Sequence, residues 1–377
     1  MAKKDPDQEL MRHALALAEK GDPSPNPHVG SLVASASGEV LGEGFHEATG
    51  LDHAEVVALK AAGEKTKGAT LFVTLEPCNH QGRTAPCVDA VLAAGIKRVV
   101  IGCRDPNPRV QGGGIERLRA AGVEVVEGVL ENEAHALIKG WSKFITTGQS
   151  YLTLKLAISL DGRIATRSGA SKWITGPESR LRVQTLRATH DAVMVGVNTV
   201  LADNPRLTVR DVPGRSPVRV IVDSKLRIPT TAQVVQTAAQ TPTCVVTTSA
   251  APKPQEEALQ ALGVRVIRVP PSAEGRCDPS ALLRELAARE VVNVMCEGGS
   301  ELAGSLLASA LADELHVFMA PVLLGPRGRP GAVDWAGPEN PSDAPRIDPP
   351  RWELCGGDAY VWGPLKYPKK TGRTSPG

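Results

Sequence analysis

The chain has 377 residues, a length for two or three domains, and its 42% apolar and 22% charged residues are those of a globular protein able to bury real cores. Its 43 basic and 41 acidic residues leave a net charge of +2, which excludes a global pull toward nucleic acid or anionic membrane, so an anionic substrate has to be met by a local basic site. No apolar run approaches the ~18 residues of a membrane span, and Met1 to Glu9 is polar, without the apolar core of a signal peptide.

The cytoplasm is therefore the expected compartment, where the seven cysteines stay reduced and a close pair points to metal or catalysis. Aromatic residues are only 3%, so Ala, Val and Leu have to fill the interior, which suits α/β layers. In chain order, Met11 to Lys20 has a helical pattern, Gly21 to Pro27 is a loop, and Val29 to Ser35 is a short strand. His53 to Ala62 reads as a helix, Ala69 to Leu75 as a buried strand, Pro86 to Ala94 as a helix and Val99 to Gly102 as a strand. Ile115 to Ala121 and Val123 to Val126 continue the alternation of an α/β sandwich.

Gly148 to Ser150 reads as a boundary. A strand over Tyr151 to Ile158 and a helix over Glu178 to Ala188 follow. Further strands are expected near Ala192 to Val195, Val218 to Val222, Cys244 to Thr247, Val264 to Val269 and Val291 to Met295, with a final one over Glu314 to Ala320. The expected organisation is a first domain over 7–148, a second over 149–366 and a basic, disordered tail over 367–377.

The strongest local signal is His53-Ala54-Glu55, followed by Pro77-Cys78 and Pro86-Cys87. One imidazole and two thiolates make the three-ligand set of a catalytic zinc site, whose fourth position is left to water. Glu55, two residues from the histidine, is placed to ferry a proton without ligating. This is the H-x-E and P-C-x-x-C logic of zinc base deaminases, except that eight residues separate Cys78 from Cys87 instead of two. The insert Asn79 to Thr84 falls at the rim of the site. Cys103, Cys244, Cys277, Cys296 and Cys355 read as packing residues.

In the second half, Glu297-Gly298-Gly299-Ser300 follows an apolar strand and precedes a helical stretch, Glu301 to Ala310. Glycines and a helix N-terminus there suit phosphate, although the G-x-G-x-x-G fingerprint is absent. Lys155 lies inside an apolar strand, where an unpaired ammonium is costly. With a loop carboxylate, Asp203, beside it, it is a candidate to supply a proton.

Pro25-Asn26-Pro27-His28-Val29-Gly30, Gly42-Glu43-Gly44-Phe45-His46, Thr74 to Thr84 and Asp105-Pro106-Asn107-Pro108 resemble the bifunctional deaminase–reductase of riboflavin biosynthesis. So do Lys155 to Ala165, Ser171 to Gly176, Asn198 to Pro205 and Glu297-Gly298-Gly299, all in colinear order from about residue 10 to 325. The resemblance implies a cytidine-deaminase-like three-layer sandwich followed by a dihydrofolate-reductase-like α/β domain. It also implies Zn2+, NADPH and small phosphoribosyl pyrimidine substrates, and no nucleic acid or membrane partner. On this match Asn26, His46, Asn79, His80, Arg83, Thr84, Asp105 and Asn107 lie near the deaminase substrate. Ala157, Trp173, Thr199, Asp203 and the turn at Gly299 and Ser300 lie along NADPH. Ser171, Arg187, Leu207, Arg210 and Glu297 surround the phosphoribosyl substrate, with Arg187 and Arg210 as phosphate partners. The rival reading, a nucleic-acid base deaminase with a non-catalytic C-terminal module, has the near-zero net charge against it; homo-oligomerisation is left open.

Overall fold

A computed structural model describes residues 5–80, 85–108, 113–325 and 331–368. The chain divides into two compact units between Gly148 and Gln149. In the first, α1 (Pro6–Ala18), β1 (Gly30–Ala34), β2 (Val40–Phe45), α2 (Ala54–Ala62) and β3 (Thr70–Leu75) are followed by α3 (Cys87–Ala93), β4 (Arg98–Cys103), α4 (Gly114–Ala120), β5 (Glu124–Val126), α5 (Glu131–Leu137) and α6 (Lys139–Thr147). The sheet order is β2-β1-β3-β4-β5. Strand β1 is antiparallel to both neighbours, and β3, β4 and β5 are parallel.

Successive side chains of each strand serve opposite faces. Leu32, Ala34, Phe72 and Val100 meet Met11, Ala14 and Leu17 of α1. Val33, Leu71, Val73 and Ile101 meet Ala58 of α2, Val88 of α3 and Leu118 of α4. The result is the helix–sheet–helix sandwich expected.

Strand β2 has no strand-like composition, and the reason is packing. A Cβ on Gly44 would sit 2.4 Å from the Ala54 carbonyl oxygen, and one on Gly42 would sit 2.5 Å from that of Ala58. These glycines let β2 lie directly against α2, the helix that carries Glu55. Gly44→Ala should therefore overpack this contact and cost about 1–3 kcal/mol. Chemical denaturation followed by circular dichroism would register it as an earlier transition of the first unit.

The second unit contains β6 (Tyr151–Ser159), α7 (Pro177–Ala188), β7 (Ala192–Gly196), α8 (Val197–Asp203), β8 (Val218–Val222), α9 (Gln233–Gln236), β9 (Thr243–Thr247), α10 (Lys253–Ala261) and β10 (Arg265–Arg268). Then come α11 (Pro279–Ala287), β11 (Asn293–Cys296), α12 (Ser300–Ala308), β12 (Glu314–Ala320), β13 (Arg346–Ile347), β14 (Arg351–Cys355) and β15 (Asp358–Lys366). The order is β10-β9-β8-β7-β11-β6-β12-β15-β13, with β14 paired to β15. Seven strands from β10 to β12 run parallel, and β15 is antiparallel to β12.

One expectation is corrected here. Glu314 to Ala320 is not the final strand, because β13, β14 and β15 follow it. Trp352 and Leu354 of β14 are exposed, so apolar alternation gave no sign of the hairpin. Tyr367, at the start of the expected tail, is half-buried and its hydroxyl donates to the Ala312 carbonyl at 3.1 Å. Residues 369–377 lie outside the described ones.

Candidate active sites

Two helix starts build the first site. His53 is the N-cap of α2, which puts Glu55 in its first turn, and Cys87 is the first residue of α3. Cys78 lies in the loop leaving β3, not on a helix, but it is reached by one: the Cys87 backbone N–H donates to its sulfur at 3.4 Å. His53 Nδ1 is 3.2 Å from Cys87 Sγ and 3.6 Å from Cys78 Sγ, and the three ligand atoms all lie within 4.8 Å of one another. Tetrahedral zinc with ordinary Zn–S and Zn–N lengths needs its nitrogen and sulfur ligands about 3.6 Å apart, so the set fits that ion. Among the described residues this is the one His, Cys, Asp and Glu group so arranged.

The electrostatics agree. A hydrogen bond from Cys87, helped by His53, pulls the Cys78 thiol down to about 4. The shared bond with Cys78, with burial, pushes the Cys87 thiol up, and its bond to Cys78 raises His53. Such shared protons are what a divalent cation displaces. Glu55 is 4% exposed, and burial, reinforced by the Cys78 charge, raises its proton affinity.

Around this core, the His46 ring stands edge-on to His53 with centroids 5.2 Å apart, and Asn26 Nδ2 is 3.0 Å from His46 Nε2. Asp105 follows β4 and is pushed up to about 6, mainly by burial; its carboxylate accepts the Asn107 N–H at 2.8 Å. Glu76, which no motif singled out for a role, is buried and accepts the Asp105 and Ile115 backbone N–H groups, each at 3.2 Å. It ties the Asp105 loop to the strand end that carries Cys78. Asn79 Oδ1 is taken by Arg117 at 2.9 Å, while His80 is exposed and acts on Asp105 through its charge. Arg83 and Thr84 lie outside the described residues.

In the second unit, register explains the main cluster. Cys296 of β11 pairs with Leu154 of β6, so Glu297 comes beside Lys155. Burial depresses the Lys155 ammonium, and the Glu297 charge opposes this. The Arg187 guanidinium makes a two-pronged ion pair with Glu297, side chains 11% and 7% exposed, and donates to the Thr208 carbonyl at 3.1 Å. Despite burial, these neighbours hold the Glu297 carboxyl below its ordinary value.

The carboxylate whose charge acts on Lys155 is Glu297, and Asp203 accepts from Ser171 at 3.2 Å. The Arg187 fork is engaged by Glu297, the two residues standing together where the sequence expected both of them. Arg210 remains, its N–H held by Gln184 at 3.0 Å and its guanidinium on Thr208 at 3.4 Å, beside buried Leu207.

A cavity of about 360 Å³ opens at the strand ends, lined by Gly196, Asn198, Ser224, Lys225, Arg227, Arg276, Cys277 and Gly299 among others. Gly298 and Gly299 have φ of +152° and +88°, which L side chains rarely adopt, so this turn presents bare backbone. Thr199 Oγ1 lies 3.7 Å from where a Cβ of Gly299 would stand. The Ser224 hydroxyl, the Lys225, Arg227 and Arg276 cations and the bare glycine backbone share this cavity with the Asp223, Glu274 and Glu301 carboxylates, Arg276 lying 3.5 Å from Glu301. Of the residues expected along NADPH, only Gly299 lines it. Ala157 lies two residues beyond Lys155 on β6, Ser300 opens α12, and Trp173 is 70% exposed beneath the Arg180 guanidinium. Ser224, Lys225, Arg227 and Arg276 were missed because no spacing marks them.

Fold and site together define a zinc-dependent deaminase joined to an α/β reductase. Residues 4–103 match the cytidine and deoxycytidylate deaminase zinc-binding region, and residues 150–361 match the RibD C-terminal domain. The chain belongs to the RibD family of riboflavin biosynthesis proteins. It is 46% identical to the RibD protein of Aquifex aeolicus, over 85% of this chain and 88% of that one. It is 42% identical to that of Escherichia coli, over 90% and 94%. Among solved structures, Acinetobacter baumannii RibD superposes with a TM-score of 0.85 at 38% identity, covering 96% of this chain and 99% of that one. A diaminohydroxyphosphoribosylaminopyrimidine deaminase/5-amino-6-(5-phosphoribosylamino)uracil reductase from Thermotoga maritima does so with a TM-score of 0.81 at 35% identity, with the same coverages.

Proposed function

We propose that the two units catalyse consecutive steps of riboflavin biosynthesis. The first removes the 2-amino group of 2,5-diamino-6-(5-phosphoribosylamino)pyrimidin-4(3H)-one by hydrolysis. The second reduces the ribose of the resulting uracil to a ribityl chain with NADPH. The chain is a bifunctional enzyme, hydrolase and oxidoreductase. The observation that carries the reading is the His53, Cys78 and Cys87 set with buried Glu55 beside it.

His53, Cys78 and Cys87 would hold zinc, which when bound supplies a Lewis acid that makes water nucleophilic at neutral pH. Glu55 then takes a proton from that water at a carboxylate oxygen and hands it to the departing amino group, which leaves as ammonia. Burial suits this role, since it brings the proton affinity of Glu55 closer to neutral pH. Asn26, Asp105 and Asn107 hold the pyrimidine, and Arg83, with Thr84, its phosphate.

In the reductase unit NADPH supplies the hydride, and the chain supplies place and proton. We assign the cofactor to the strand-end cavity and the Gly298–Gly299 turn. Lys155 gives a proton to the ring oxygen as the C1′–O bond of the ribose opens, and the hydride goes to C1′. The Glu297 charge opposes the loss of the lysine proton that burial favours, and Arg210 takes the phosphate. Asp203 with Ser171 lines the substrate's approach. The substrates are small molecules, so we infer no nucleic-acid partner. No described helix is long and apolar enough to cross a membrane, and we place the enzyme in the cytoplasm.

The test separates the units. Removing the metal with a chelator should abolish release of ammonia from the diaminopyrimidine while leaving NADPH oxidation on the supplied uracil intact. Zinc should restore the first activity. A chelated enzyme that deaminates at the untreated rate refutes the zinc reading, and a wild type that oxidises no NADPH on that uracil refutes the bifunctional one.

A further inference from the structure

Three groups beside the zinc ligands form a directed chain. His46, 4% exposed, has Nδ1 3.1 Å from the backbone carbonyl oxygen of Asp52, the residue before His53. Its Nε2 is 3.0 Å from Asn26 Nδ2. A carbonyl oxygen only accepts, so Nδ1 carries the proton. In a neutral imidazole the other nitrogen is then an acceptor, and the Asn26 amino group donates to it. Turning the amide over would set Oδ1 against the Nε2 lone pair, so this arrangement selects one face of the amide. Asn26 sits between Pro25 and Pro27, with its own N–H bonded to the Pro23 carbonyl at 2.8 Å, so backbone movement cannot relax the choice. No described residue donates to Asn26 Oδ1.

We propose that His46 is a positioning residue which locks the Asn26 amide with its carbonyl oxygen free, as an acceptor for an N–H of the amino-pyrimidine. The contact with substrate belongs to Asn26, and His46 acts only through it. This deepens the deaminase reading and rests on it.

A double-mutant cycle on the zinc-loaded full chain tests the coupling. With the diaminopyrimidine as substrate, His46→Phe and Asn26→Ala should each raise KM about 10-fold, the worth of one oriented hydrogen bond. Turnover at saturation should stay within about threefold, since ground and transition states lose the same contact. The double variant should match the worse single one. His46→Gln, whose amide accepts from Asn26 and donates to the Asp52 carbonyl, should bring KM back to within about threefold of wild type. Zinc content and reductase rate on the supplied uracil report whether each variant is folded; if His46→Phe loses both, His46→Gln alone decides, and a KM raised 10-fold or more in that variant overturns the proposal. Independent penalties multiplying to about 100-fold would overturn the proposal, as would a fall in kcat at unchanged KM, or loss of zinc from folded His46→Phe. A wild type that leaves the diaminopyrimidine untouched would instead remove the deaminase reading itself.

Discussion

Glu55→Gln should lower turnover of the diaminopyrimidine by about 10²–10⁴-fold, the usual contribution of a positioned general acid–base. The substitution keeps size and shape, so the 4%-exposed site stays filled and α2 stays packed against Gly42 and Gly44. What it removes is the ability to take a proton from water and return it to the leaving amine. The zinc ligands are untouched, and metal analysis should still find one ion per chain. In a coupled assay NADPH oxidation should vanish on the diaminopyrimidine and return in full when the deaminated uracil is supplied. Turnover within a few-fold of wild type would mean that another group moves the proton.

Lys155→Met is the corresponding test in the second unit, with an expected loss of about 10²–10⁴-fold in NADPH oxidation on the supplied uracil. Methionine fills a similar volume along β6 and removes only the ammonium. Glu297 keeps its two-pronged pair with Arg187, so the variant should fold. Ammonia release from the diaminopyrimidine should be unchanged. Asp203→Asn is the control: its carboxylate is engaged by Ser171 and not by Lys155, so its effect should be on KM more than on kcat. Near-normal turnover in both variants would leave the proton without a donor among these residues.

How far the sites were legible differs between the units. His53, Glu55, Cys78 and Cys87 could be read directly because zinc chemistry permits few side chains and the helix starts fix their spacing. Asn26, His46 and Asp105 came from resemblance, since an amide, an imidazole or a carboxylate alone carries no chemical signature. Glu76 escaped both routes. It accepts two backbone N–H groups from residues 29 and 39 positions further along the chain, and nothing local marks such a bond. Lys155 stood out as a charge in an apolar strand, but the charge that acts on it from Glu297 did not. Glu297 is 142 positions away in the chain and becomes a neighbour only through the register of β11 on β6.

The alternation of elements, the boundary near Gly148 and the candidate metal set of His53, Cys78 and Cys87 were determined by the sequence alone, because each depends on periodicity or on the chemistry of a few side chains close in the chain. The tertiary structure decided which charges meet. It set Arg187 on Glu297, gathered Ser224, Lys225, Arg227 and Arg276 around one cavity, and made a strand of a glycine-rich segment. Parallel strands bring together residues far apart in sequence, and their pairing comes from the packing of the whole sheet, which no local window of residues contains.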